Sequence, residues 1–196
     1  MLPDIDWALQ RGLGVVVFNP NQRHVEEGDG SRHDLHPVGT AIPSAASYAD
    51  HTLLVWDTYL AHLTCPLLIL AHSNGGHCTR ALLEHRGPAL LRNLRAVALT
   101  DANSMARQLP AGVKEWALGQ GSGPPGGRIV NWVADKGAVD TPVRSTDNGV
   151  QCRSSGATAH VHTTAAARPA MHPWLESWLP DVLAVSPSGA DQADDG

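Results

Sequence analysis

The residues best suited to chemistry form the run Ala71-His72-Ser73-Asn74-Gly75-Gly76, which follows the apolar segment Leu67 to Leu70. A serine with small residues two positions before and after it is typical of a nucleophile elbow, a sharp turn that presents the hydroxyl above a sheet edge. Ala71 stands where the usual motif has glycine. In such a turn Ser73 attacks a carbonyl carbon, and the backbone N–H of Asn74 stabilises the oxyanion. The run therefore predicts an acyl-transfer site.

A serine nucleophile also needs a histidine base and an acid that orients it, and in this kind of site the acid precedes the histidine in the chain. Two acids qualify, because each follows a predicted strand. Asp101 ends the strand 94–100, and Asp140 lies just past the strand 129–133. Both would lie at the carboxyl edge of a parallel sheet, where such sites are built. Asp140 is closer to the usual position of the acid, and Asp101 is the alternative.

Three histidines late in the chain are candidates for the base. His160 and His162 lie in the loop-like stretch SSGATAHVHTT, and His172 precedes a proline at a predicted helix start. We take His160 as the base. Neutral imidazole can accept the serine proton near neutral pH, which is why histidine has this role most often.

Strands and helices alternate around these residues. Continuous apolar runs predict buried strands at 15–18, 67–70, 94–100 and 129–133. A short helix is predicted at 3–11. A second helix is predicted by the spacing of a stripe of residues, Tyr48, Thr52, Val55, Tyr59 and Leu63, and a third begins near residue 78 and stops at Gly87-Pro88. The alternation predicts an α/β class with a mostly parallel sheet flanked by helices, similar to α/β-hydrolases.

The length of 196 residues fits one domain, which we place at residues 1–180. A polar stretch punctuated by Pro and Gly, from about 19 to 45, predicts a loop insertion. Residues 181–196 are acidic and poor in apolar side chains, which predicts a disordered tail.

The charge balance disfavours direct binding to nucleic acid. The chain has 14 basic and 19 acidic residues, a net charge of −5, and no Lys/Arg block. Three cysteines at wide spacing suit a reducing compartment. No apolar run approaches membrane-spanning length, and the N-terminus has acids where a signal peptide has basic residues, so we expect a protein that is neither secreted nor membrane-bound.

A metal site is also disfavoured. His33 and His36 flank Asp34 in the polar insertion, but no cysteine or third histidine stands at zinc-site spacing. We expect neither a metal nor a cofactor.

Seven ordered blocks of this sequence resemble the Arb-type domain, a family named for an argonaute-binding protein. The blocks are Gly14 to Asn21, Val55 to Asp57, Ala71 to Gly76, Ala96 to Asp101, Asn131 to Val133, Asp140-Thr141, and Ser154 to Thr163. This domain also occurs in a family of cotranscriptional regulators and appended to some histone deacetylases. The resemblance implies an α/β-hydrolase-like fold and carries the family's serine, acid and histidine onto Ser73, Asp140 and His160.

The resemblance also implies that relatives have a strand and a glycine-containing loop upstream of the helix with which this sequence opens. We therefore expect an N-terminally truncated domain without the loop that supplies the second oxyanion N–H. Two functions follow. One is a nuclear or cytoplasmic regulator in gene silencing, RNA processing or chromatin, which contacts argonaute or chromatin-associated proteins. The other is an active serine hydrolase of esterase or amidase type on a small acyl substrate.

Overall fold

The structure is a computed structural model that describes residues 1–22, 24–26, 39–102, 109–119, 127–144 and 150–179. Its helices are α1 (Leu2–Leu9), α2 (Tyr48–Val55), α3 (Gly75–Leu90), α4 (Ala111–Ala117) and α5 (Thr163–Glu176), with a π-helical turn at Trp56–Leu60 and a 3-10 turn at His160–His162. Its strands are β1 (His24–Glu26), β2 (Gly39–Ala41), β3 (Leu67–His72), β4 (Leu94–Thr100), β5 (Ile129–Val133) and β6 (Gln151–Ser154).

The main sheet has the order β3-β4-β5-β6, and each neighbouring pair is parallel. β1 and β2 form a separate antiparallel ribbon inside the predicted loop insertion. Because all four strands of the main sheet run the same way, the turns that follow them lie along one edge. The predicted α/β class with a mostly parallel sheet and flanking helices is confirmed.

The alternation of side chains along β4 divides the core into two layers. Val97 and Leu99 pack into a cluster that also contains residues of α2, α3 and α4. Ala96 and Ala98 face the opposite layer, where α5 covers the sheet and Trp7 of α1 packs against the same cluster. Helices thus cover both faces, as a parallel sheet requires.

The predicted strand at Val15–Phe18 is wrong. This segment has no regular structure, and Val15, Val16 and Val17 are 38%, 57% and 52% exposed. Only Phe18 packs against the core. An apolar run becomes a strand when a neighbouring strand pairs with its backbone, and within the described part of the chain none pairs with this segment.

The predicted helix stop at Gly87-Pro88 is also wrong, because α3 continues to Leu90. Gly87 packs closely on α4: a Cβ atom added there would lie 2.7 Å from Val113 Cγ2. Pro88 is exposed, so the carbonyl that it leaves without an intrahelical donor can be hydrated.

Two elements near the C-terminus were not foreseen from the sequence. β6 is only four residues long, and α5 begins at Thr163 rather than near His172. Pro169 and Pro173 lie inside α5 on its exposed side, while Ala167, Met171 and Leu175 are buried at a spacing of four residues. The buried stripe favours the helix despite the two prolines.

The predicted helical stripe from Tyr48 is correct only as far as Val55. The π-helical turn changes the phase, so Trp56 is buried and Tyr59 is 65% exposed. The histidines 33 and 36, Asp34 and the acidic tail 181–196 lie outside the described residues. Of the helices in the described part of the chain, none is long and apolar enough to cross a bilayer.

Candidate functional site

Ser73 lies at the tip of a sharp turn between β3 and α3. Its φ of 54° is positive, a conformation that is strained for a residue with a side chain. The Ser73 N–H donates to the Thr100 carbonyl at 3.0 Å, and the Gly76 N–H donates to the Ser73 carbonyl at 3.1 Å. These hydrogen bonds hold the turn between the sheet and the first turn of α3.

The small residues around Ser73 are required by close packing within the turn. A Cβ atom added to Gly75 would lie 3.1 Å from the Ala71 Cβ, closer than ordinary van der Waals contact. The predicted strand, strained turn and helix of the elbow are all present.

His160 pairs with Asp101. The His160 Nδ1 lies 2.6 Å from the Asp101 Oδ2, and the two residues are separated by 59 positions in the chain. Asp101 follows β4 with a positive φ of 45°, and His160 opens the 3-10 turn that leads into α5. Because a carboxylate only accepts, His160 Nδ1 carries the proton and its Nε2 is left to act as a base.

The Asp101 carboxylate is held in place by the neighbouring strand end. Its Oδ1 accepts from the Ala134 N–H at 3.1 Å, and its own N–H donates to the Trp132 carbonyl at 2.9 Å. Asn131 is 2% exposed, donates from Nδ2 to the Ala102 carbonyl, and accepts at Oδ1 from the Ala102 N–H. The amide therefore fixes the backbone directly after Asp101.

Asp140 has other partners, so the predicted pairing of Asp140 with His160 is not the one observed. The Asp140 Oδ2 accepts from Arg153 at 2.6 Å, and its Oδ1 accepts from the Trp132 Nε1 at 3.1 Å. The loop that carries Asp140 runs along β6, and the Asp140 N–H donates to the Ser154 carbonyl at 2.9 Å. This course brings its carboxylate to Arg153.

The remaining late histidines do not take the place of His160. His172 lies within α5, where its Nε2 is 3.1 Å from Asp4 and its ring stacks on Trp7 at 4.3 Å between centroids. His162 is exposed in the 3-10 turn. His160 alone of these three histidines has an acid of the sheet edge as its partner.

His72, next to the serine, contacts both the sheet and His160. Its Nδ1 lies 3.0 Å from the Thr100 carbonyl, and its ring centroid lies 4.6 Å from that of His160. Burial lowers the pKa of His72, and the neighbouring His160 lowers it further, against the raising effects of the Thr100 carbonyl and Asp101. His72 is therefore neutral at pH 7.

The oxyanion donor predicted from the sequence, the Asn74 N–H, lies at the residue that precedes the first turn of α3. Amides at this position have no acceptor within a helix and are free to bind a developing anion. Among the described residues, Ser73 Oγ makes no hydrogen bond to His160. Such bonds often shorten only when a substrate is bound.

Several residues that shape the site were not identified from the sequence. Asn131 is a polar residue in an otherwise apolar strand, and this interruption of IVNWV was the available signal. The Thr100–Thr164 hydroxyl contact of 2.6 Å joins β4 to α5 and has no comparable sequence signal. No group of three metal-ligating side chains occurs among the residues that the structure describes.

Neither a family model nor a solved structure matches the chain. The chain is 24% identical over 192 residues to the cotranscriptional regulator ARB2A homolog of Dictyostelium discoideum, a match that covers 86% of this chain and 48% of that relative. It is 24% identical to cotranscriptional regulator ARB2A of Mus musculus, covering 87% and 49% of the two chains. For the homolog of Xenopus tropicalis, the identity is 25% and the coverage 83% and 47%. The chain is thus similar over most of its length to proteins named cotranscriptional regulators, and it spans about half of their length.

Proposed function

We propose that this chain is a domain of a regulator that acts in the nucleus during or close to transcription, and that it does so by contacting other proteins. The observation that carries this proposal is the similarity to three proteins named cotranscriptional regulators over 83% to 87% of the chain. The net charge of −5 agrees with protein partners better than with direct binding to nucleic acid. Argonaute or chromatin-associated proteins are the partners we propose.

The test is purification of the full-length tagged protein from nuclei of its host, in parallel with Ser73→Ala. We expect both forms to enter the nucleus and to recover the same set of proteins, including argonaute or chromatin-associated ones. Recovery of neither class would contradict the proposed partners. Loss of all partners in Ser73→Ala would contradict a scaffold role that is independent of the serine.

A second candidate function is hydrolysis of an ester or amide by a serine nucleophile on an α/β-hydrolase-like scaffold. The 2.6 Å contact between His160 and Asp101 favours it. In this mechanism Ser73 Oγ forms a bond to the carbonyl carbon of an ester or amide, and His160 Nε2 takes the hydroxyl proton. Asp101 accepts from His160 Nδ1 and stabilises the imidazolium. The Asn74 N–H binds the oxyanion.

The second half of the reaction follows from the same groups. Protonated His160 gives its proton to the alcohol or amine group as the bond from that group to the carbonyl carbon breaks, which leaves an acyl-serine. Water then attacks the acyl carbon while His160 takes a proton from it, and His160 returns that proton to Ser73 Oγ as the acyl–oxygen bond breaks and the carboxylic acid leaves. We therefore propose Ser73, His160 and Asp101 as the triad, with Asp140 outside it.

Fluorophosphonate labelling tests the hydrolase proposal because the reagent phosphonylates only an activated serine. We expect labelling of the full-length protein that disappears in Ser73→Ala and in His160→Ala. The matched control is Ser177→Ala, because Ser177 is an exposed serine at the end of α5, and we expect this variant to label like the parent protein. Labelling that persists in Ser73→Ala, or its absence from the parent protein, would contradict the proposal.

A further inference from the structure

His72 is held by the sheet on one side and contacts His160 on the other. The Thr100 carbonyl can only accept a hydrogen bond, so the Nδ1 that approaches it at 3.0 Å carries the proton of neutral His72. Thr100 Oγ1, which lies 3.2 Å from the same Nδ1, is itself bonded to Thr164 of α5. The orientation of the His72 ring is thereby fixed from β4 and α5.

His160 is held less firmly by its own surroundings. It is 47% exposed in a short 3-10 turn, and the Asp101 carboxylate binds it through one ring nitrogen. A single hydrogen bond leaves the ring free to tilt about that bond. The His72 ring, 4.6 Å away and inclined by 34°, is the aromatic surface against which the His160 ring rests.

We propose that His72 is a positioning residue for His160: its neutral ring keeps the His160 imidazole aligned on Asp101, with Nε2 available to Ser73. The part of this inference that concerns Ser73 rests on the proposed hydrolase function, whereas the alignment itself does not.

The charge state of His72 matters for the same reason. The titratable groups that act on it are His160, which faces its ring, and Asp101, which follows β4. A proton on His72 would put a cation against the His160 ring at the moment when His160 must also become cationic. Since burial lowers the pKa of His72, the neutral form persists to lower pH than that of an ordinary histidine.

The first test is independent of catalysis and uses nitrogen-15 and proton NMR of the imidazole rings. In the parent protein we expect His72 as the Nδ1–H tautomer and a protected His160 Nδ1–H signal from the bond to Asp101. In His160→Gln the His72 titration should move to higher pH, because a neighbouring positive charge is removed. An unchanged His72 titration, or the Nε2–H tautomer, would overturn the proposal.

Two variants separate the ring from the hydrogen bond. His72→Phe keeps an aromatic face and cannot be protonated, and His72→Asn keeps an amide donor for Thr100 but has no ring. We expect the protected His160 Nδ1–H signal to survive in His72→Phe and to be lost in His72→Asn. Retention of the signal in His72→Asn would overturn the positioning role. His85→Asn, on the exposed side of α3, is the matched control.

The second test measures fluorophosphonate labelling of the same variants against pH. We expect His72→Asn to label at least about tenfold more slowly than the parent, because misorientation of a base is costly. In His72→Phe the labelling rate should fall less steeply as the pH is lowered, because the residue at position 72 can no longer be protonated. Equal rates in all forms would overturn the inference. If the parent protein is not labelled at all, the hydrolase proposal fails, and the NMR result still decides whether His72 positions His160.

Discussion

Asp101 and Asp140 have similar local conformations, and the difference between them is one of individual contacts. Each lies after a strand, with φ of 45° and 69°. Asp101 is bound by His160 and the Ala134 N–H, whereas Asp140 is bound by Arg153 and Trp132. The Asp140 carboxylate is thus occupied by a guanidinium and an indole N–H, and of the two carboxylates it is that of Asp101 that contacts the His160 imidazole.

This difference predicts opposite results for two matched substitutions. Asp101→Asn presents an amide to His160 and favours the wrong tautomer, which costs about 10⁴ in turnover at a serine triad. Asp140→Asn removes a partly exposed ion pair, so we expect the free energy of unfolding to fall by at most about 1 kcal/mol and the labelling rate of Ser73 to stay unchanged. Fluorophosphonate labelling rates and urea unfolding measure the two effects. The assignment fails if Asp140→Asn stops labelling and Asp101→Asn does not.

At the scale of elements, the carboxyl edge of the sheet brings the site together. Ser73, Asp101 and Ala134 follow the parallel strands β3, β4 and β5, and the 3-10 turn before α5 adds His160 to the same edge. The order of strands explains the pairing. β4 lies beside β3, so Asp101 ends the strand next to the one that leads to Ser73, while the segment with Asp140 runs alongside β6 at the other end of the sheet.

The packing of α3 on α4 gives a second matched pair of substitutions. Gly87→Ala puts a Cβ atom 2.7 Å from Val113 Cγ2, and we expect a loss of about 1–3 kcal/mol from overpacking. Gly112→Ala on α4 meets nothing within 4 Å and should stabilise by about 0.4–1 kcal/mol. Urea unfolding measures both. Equal stabilisation by both alanines would show that α3 and α4 are not in this contact.

At the scale of the whole molecule, the first and last described helices are joined across the sheet face. Arg168 donates to both carboxylate oxygens of Asp4 at 2.8 and 2.9 Å, and Trp7 Nε1 donates to Glu176 at 2.8 Å. Arg11 forms an ion pair with the same glutamate. These contacts attach α1 to α5, although the residues that they join are more than 160 positions apart in the chain.

The attachment of α1 should depend on pH through Asp4. Burial raises the pKa of Asp4, but hydrogen bonds from Arg168 and His172 outweigh it, so the pKa lies below the ordinary value of 3.8. A carboxyl group with a lowered pKa in the folded state adds stability above its unfolded pKa and loses it as pH falls through the folded pKa.

We therefore expect Asp4→Asn to destabilise the protein at neutral pH by about 1–3 kcal/mol, because Arg168 loses its charged partner. The difference from the parent should shrink as the pH falls below 3.8. Urea unfolding followed by tryptophan fluorescence at several pH values measures it, with the exposed Asp6→Asn as control. A difference that does not change with pH would contradict the ion-pair explanation.

The sequence by itself determined the α/β class, the bounds of β4 and β5, and the sharp turn between strand and helix at Ser73, because these depend on local patterns: apolar runs, helical spacing and small residues near a serine. It did not determine Val15–Phe18, whose conformation depends on a strand partner, or α5, whose buried stripe outweighs two prolines.

Only the tertiary structure decided which acid meets His160. Asp101 and Asp140 have the same local signal, a carboxylate just past a strand, and the choice depends on strand order and on the course of the loop along β6. The contact of His72 with His160 was likewise decided by the sheet, which brings together residues 88 positions apart in the chain (160 − 72). Local sequence specifies which groups can react, and long-range packing specifies which of them meet.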